Sequence, residues 1–207
     1  ARVSTAKAAA LVRDGRDSAH VKLGAGEAVS IAGAGASLYV LPTSKDALVI
    51  GCSAGTVVRK ACADVAGSVE LTSGEAVAPG PTDDGASALG GALTRLRTGL
   101  RHPTEDLQRA RSSGDQATAA GDLSRAYRTA SSDVRRADVG ALATAARDQL
   151  ASALRSASSG WTRFANAAKN KSAGAVARAR SEIASARARV GKARAALAAV
   201  GYEAGGG

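Results

Sequence analysis

The chain has 207 residues, enough for one or two domains, and a formal net charge of +10 from 28 Lys/Arg against 18 Asp/Glu. Aromatic residues make up 2 % of it, which excludes ring-lined pockets as its main architecture and leaves Ala, Val and Leu to form the core. No run approaches the ~20 apolar residues that a membrane-spanning helix needs.

The charge is concentrated in one half. Residues 1–90 carry eight Lys/Arg against nine Asp/Glu, a net of −1, and residues 91–207 carry twenty against nine, a net of +11. The chain opens on Ala1 and contains no Met. That small-residue start suits a mature end left by a signal peptidase, or equally the trimming of an initiator Met before Ala.

Residues 1–19 read as a lead-in, with a short helix over Ala6 to Val12 stopped by Asp14-Gly15. From His20 the pattern changes to short runs rich in β-branched residues: His20–Leu23, Ala28–Ile31, Ser37–Leu41 and Ala47–Ile50. Gly24, Gly26, Gly33, Gly35, Pro42 and Gly51 punctuate them, as between small antiparallel strands. Thr56–Val58 and Ser68–Thr72 continue the series, with room for a one-turn segment around Arg59–Val65. Turns about every ten residues predict a compact antiparallel β-sandwich or roll over 20–77.

Ala78-Pro79-Gly80-Pro81 and the residues to Gly85 read as a linker, because paired prolines and glycines continue neither kind of element. Beyond it the period is helical, and 86–201 reads as a basic helical bundle with a flexible tail at 202–207. Leu89, Leu93, Leu96 and Leu100 share one stripe, with His102-Pro103 placed to kink or end that helix and Thr104 to cap the next turn. Ser112–Asp115 is a turn, and Leu123, Tyr127, Ala130, Val134, Ala137 and Ala141 then step by four and three, interrupted near Gly140. Leu150, Leu154, Ala157, Trp161, Phe164 and Ala168 keep that rhythm.

In the last segment, Val176, Ala179, Ile183, Ala186, Val190, Ala193, Leu197 and Val200 alternate steps of three and four. That is a heptad seam with a small residue at nearly every second position, suited to close packing of antiparallel helices. The register slips at Lys169–Ser172, which favours a hairpin over one continuous rod. The expected fold class is therefore α+β by segregation, a small antiparallel β-module followed by an antiparallel helical hairpin or bundle.

Few motifs carry chemistry. Cys52 and Cys62 lie ten apart, a spacing that fits no zinc knuckle and leaves one disulfide or two buried thiols. A bridge would indicate a compartment outside a reducing cytoplasm. Gly51-Cys52-Ser53-Ala54-Gly55 matches a nucleophile elbow, but a chain without βαβ alternation makes it a strand-end turn. His20 and His102, one per half, are expected as exposed residues, and no metal-ligand, dinucleotide or phosphate-loop pattern is present. No cofactor is implied.

One chemical feature has reach. Arg180, Arg187 and Arg194 recur every seven residues, flanked by Arg178, Arg189 and Lys192, with Glu182 alone opposing them. The stripe reads either as a solvated face or as a surface for an anionic polymer, membrane surface or nucleic acid. No aromatics are interleaved with it for base stacking.

Asp122–Tyr127, Trp161–Lys171 and Ala175–Val200 with its Gly201-Tyr202 ending resemble helical-hairpin regions of exported proteins from high-GC Gram-positive bacteria. The resemblance covers about the last 85 residues; it implies an envelope location and transfers no activity or functional residue. The expected role is a non-enzymatic envelope or extracellular scaffold. Its helices would mediate self-association or docking of a protein partner, and no small-molecule substrate is evident. Binding of an anionic polymer or surface, or service as a phage or filament subunit, are the alternatives.

Overall fold

The computed structural model describes residues 1–15, 17–32, 36–53 and 56–202. The turn expected at Gly33–Gly35, the Ala54-Gly55 half of the elbow motif and residues 203–207 of the expected tail lie outside them. The fold is α+β and segregated: an antiparallel sheet precedes four long helices. The chain divides into two compact units, the first made of residues 1–83, 139–145 and 199–202, the second of 84–138 and 146–198 among the described residues.

In the first unit, β1 (Arg2–Val3), β2 (Asp17–Leu23), β3 (Gly26–Ala32), β4 (Ala36–Pro42) and β5 (Ala47–Ser53) form one sheet in the order β1-β5-β4-β3-β2. Every pairing is antiparallel, with Val29 opposite Val40 and Val40 opposite Val49. The expectation of a sandwich or roll is thus corrected to a single sheet. Its strands are apolar on both faces, and helices rather than a second sheet cover them. On one face Val29, Ile31, Val40 and Ala47 pack with Ala8 and Val12 of α1 (Thr5–Asp14) and with Leu142. On the other, Leu23, Ala28 and Leu41 pack with Ala66 of α2 (Thr56–Gly67).

Further expectations change. The lead-in is part of the unit, since it holds β1, α1 and the start of β2, and Ser4 caps α1 by accepting from the Lys7 N–H. Thr56–Val58 begins α2 instead of forming a strand, and Ser68–Thr72 is not a strand. Beyond α2 an isolated bridge joins Thr43 to Ala76. The linker stretch is held down: Ala141 N–H donates to Ala78 O at 3.1 Å and Leu142 N–H to Pro79 O at 3.3 Å. Pro79 and Gly80 are buried there.

Tyr202, expected in a flexible tail, is 1 % exposed. Its hydroxyl accepts from the Gly140 and Thr82 N–H groups, each at 2.9 Å. Gly140 is a glycine of necessity, because a Cβ there would collide with the backbone of Gly80 and lie 2.7 Å from Pro79 C. Gly24 is another: its N–H donates to Gly67 O at 2.9 Å, answering a carbonyl at the end of α2, and a side chain would fill that contact.

In the second unit, α3 (Asp83–Arg109), α4 (Ser113–Arg136), α5 (Thr144–Lys169) and α6 (Ala173–Ala198) run antiparallel in succession. The pairings give the direction: Arg95 meets Asp133 at 3.0 Å, Ser124 meets Ser158, Ser131 meets Ala151, and Arg163 meets Glu182. Most of the stripe expected on each helix is buried, including Leu89, Leu96, Leu123, Tyr127, Leu150, Leu154, Ile183 and Leu197, while Leu93, Leu100, Val176 and Val190 are half-buried. α3 continues through Pro103, giving up the backbone bond that a proline nitrogen cannot donate.

Small residues set the spacing. Ala179, Ala186 and Ala193 are fully or almost fully buried along α6, and a Cβ on Gly160 of α5 would lie 2.8 Å from Ile183 Cγ1. Between α4 and α5 the buried hydroxyls are satisfied in place. Ser124 Oγ lies 3.1 Å from Ser158 Oγ, Ser158 Oγ donates to Ser124 O at 2.9 Å, and Ser131 Oγ donates to Ala151 O at 2.7 Å. The hairpin between α5 and α6 turns at Lys171, whose φ of 51° is the left-handed cap usually taken by Gly. Ser172 N–H donates back to Ala167 O and Lys171 N–H to Ala168 O, closing the helix end.

Candidate functional site

Cys52, near the end of β5, and Cys62 in α2 form a disulfide-capable pair with Cα atoms 6.1 Å apart, within the usual range. Cys52 lies on the same sheet face as Leu48 and Ile50, so a bond between the pair would pin α2 to the face it covers. Opening this loop is expected to lower the stability of the first unit by about 2–3 kcal/mol on the chain-entropy model. Thermal unfolding with and without dithiothreitol checks this: the reduced protein should melt earlier, and coincident curves would mean the bond contributes nothing.

Ser53 is the exposed last residue of β5, followed by a helix, so the local strand-to-helix context of the elbow motif exists. Its sheet is antiparallel, however, and His20 lies on β2, separated from β5 by two strands. His20 and His102 are both exposed. Among the described residues no group of three or more His, Cys, Asp or Glu side chains could hold a metal ion. No helix among them is long and apolar enough to cross a membrane.

The six cations of α6 do not form one stripe. At about 100° per residue, the nine residues from Arg180 to Arg189 amount to half a turn, which sets them on opposite flanks of the seam. On one flank Arg180 stacks over the Phe164 ring, 5.7 Å to its centroid, and Arg187 over the Trp161 ring at 5.8 Å. Those two rings are themselves tilted neighbours, 5.6 Å apart. Arg180 and Arg187 therefore serve the packing of α6 on α5, at a gain of about 0.5–1 kcal/mol each for exposed cation–π pairs. Arg194 continues this flank into a groove between α3 and α6. On the other flank Arg189 and Lys192 line a trough between α6 and α5. Arg178 is exposed and lines neither.

The α3/α6 groove has a volume of about 630 Å³. Leu93, Leu96, Leu100 and Val190 form its apolar part; Leu96 is buried and the other three are half-buried. Arg97 and Arg101 rim it from α3, one helical turn apart, and Arg194 from α6. Glu105 is the one carboxylate among its lining residues. The leucine stripe was legible in the sequence; that α6 leaves it partly uncovered was not.

Set against protein-family models, curated proteins and solved structures, the chain finds no match.

Proposed function

We propose that this protein is a non-enzymatic extracytoplasmic scaffold whose helical unit docks an acidic amphipathic helix of a partner protein. The observation that carries the reading is the α3/α6 groove, whose apolar floor is bordered by three arginines and one glutamate. A helix laid in such a groove inserts residues spaced i, i+3, i+4 and i+7 and presents its flanking carboxylates to the rim. Charge decides between partners. A second copy would bring the same arginines against these, within a half-chain of net charge +11, whereas an acidic helix is steered in. The Cys52–Cys62 pair supports a place outside the reducing cytoplasm.

An 18-residue peptide with Leu at those spacings and Glu elsewhere tests it. Fluorescence anisotropy should show saturable binding, weakened at least tenfold by Leu93→Asp with Leu100→Asp. The same peptide with Lys for Glu should bind at least tenfold more weakly. Equal binding of both peptides, indifference to the leucine changes, or a concentration-dependent dimer seen by sedimentation would overturn it.

A further inference from the structure

The opposite side of α6 carries a separate feature. One cavity of about 500 Å³ and another of about 470 Å³ lie between α5 and α6, and they share Ser152, Ser156 and Arg189. Together they make one trough alongside residues 148–163 of α5, about 22 Å long at 1.5 Å per residue. Its carboxylates are already answered: Asp148 accepts from Arg147 at 2.9 Å, and Glu182 from Arg163. Its other cations are not. Among the described residues, Arg155 on one wall and Arg189 and Lys192 on the other have no ion pair, hydrogen bond or ring contact.

Hydroxyls fill the spaces between these charges. Ser152, Ser156 and Ser159 project from α5, and Ser181 and Ser185 from α6. The trough has no apolar floor beyond Ala153 and Ala193, hence no anchor for leucine side chains or a lipid tail, and no aromatic ring on which a base could stack. Guanidinium and ammonium donors set along one trough, with serine hydroxyls between them, fit tetrahedral oxyanions in series; of those hydroxyls, the Ser156 one donates to Ser152 O at 3.1 Å.

We propose that this trough binds a flexible phosphate polymer without nucleobases, one chain lying along it with successive phosphates against Arg155, Arg189 and Lys192. The site shares no residue with the α3/α6 groove, so its failure would leave the docking reading standing.

The test uses inorganic polyphosphate as probe, with affinity followed by calorimetry from 50 to 300 mM salt. The variant Arg155→Gln/Arg189→Gln/Lys192→Gln is compared with a charge-matched triple change elsewhere on the bundle, Arg111→Gln/Arg128→Gln/Arg136→Gln. Circular dichroism verifies that both remain helical. The trough variant should lose at least 30-fold in affinity at 50 mM salt. Its slope of log affinity on log salt should shrink by about 2, as expected for three lost contacts at roughly 0.7 each. The matched variant should lose less than threefold. Equal losses in both variants would reduce the effect to overall charge, and absent binding at 50 mM salt would end the proposal. So would tighter, trough-dependent binding of oligodeoxythymidylate, which would make the trough a single-stranded nucleic-acid site.

Discussion

Tyr202→Phe is expected to destabilise the first unit by about 2–4 kcal/mol, lowering its unfolding midpoint on the order of 10–20 °C. The change removes one oxygen, but that oxygen accepts from two backbone donors, Gly140 N–H and Thr82 N–H. The Gly140 bond is buried, and a buried donor left without an acceptor costs about 1–3 kcal/mol. The effect is not local to one turn, because the hydroxyl fastens residues 80–82 to the loop at 140. Tyr39→Phe provides the comparison: Tyr39 lies on β4 and is only partly buried, so its loss should cost under about 0.5 kcal/mol. Thermal denaturation of the two variants side by side checks the claim, and equal midpoints would refute the keystone role of Tyr202.

Leu154→Ala should cost the helical unit more, about 3–5 kcal/mol by denaturant unfolding. Leu154 is fully buried in α5, and this core draws on few large side chains. Its neighbours along the seam include alanines and a glycine, which pack closely and have no side-chain length with which to fill a vacated volume. Leu93→Ala, by contrast, removes a half-buried floor residue of the α3/α6 groove and should cost less than about 1.5 kcal/mol. A ratio near one between the two would mean that the groove is as closed as the core.

The helical unit was legible because one signal, apolar residues at steps of three and four, decides both the element and its buried face. Leu123, Leu154 and Ile183 are core for that reason. Strands β2 to β5 were legible for a similar reason, but what covers them was not. Leu48 and Val49 read alike in sequence, and only the structure assigns Leu48 to the α2 side and Val49 to the α1 side. The β-branched run Thr56–Val58 has strand propensity, which tertiary placement at the head of α2 overrides. Tyr202 precedes a run of glycines and looked like tail; its partner Thr82 is 120 residues away, beyond any local pattern.

The basic residues of α6 were found by their spacing, yet their roles depend on partners from other helices. Arg180 and Arg187 meet rings of α5, Arg194 faces α3, and Arg189 with Lys192 faces serines of α5. Helix angle alone separates the two flanks, so that part could have been read in advance. The pairing of Arg187 with Trp161 could not, since it depends on where the turn at Lys171 sets the register.

Amide chemical-shift mapping during titration with the acidic Leu/Glu peptide is the most direct measurement. Docking in the groove predicts the largest shifts at Leu93, Arg97 and Leu100 of α3 and at Val190 and Arg194 of α6, with the sheet unmoved. Shifts gathered on the sheet, or spread evenly over every basic helix face, would contradict it.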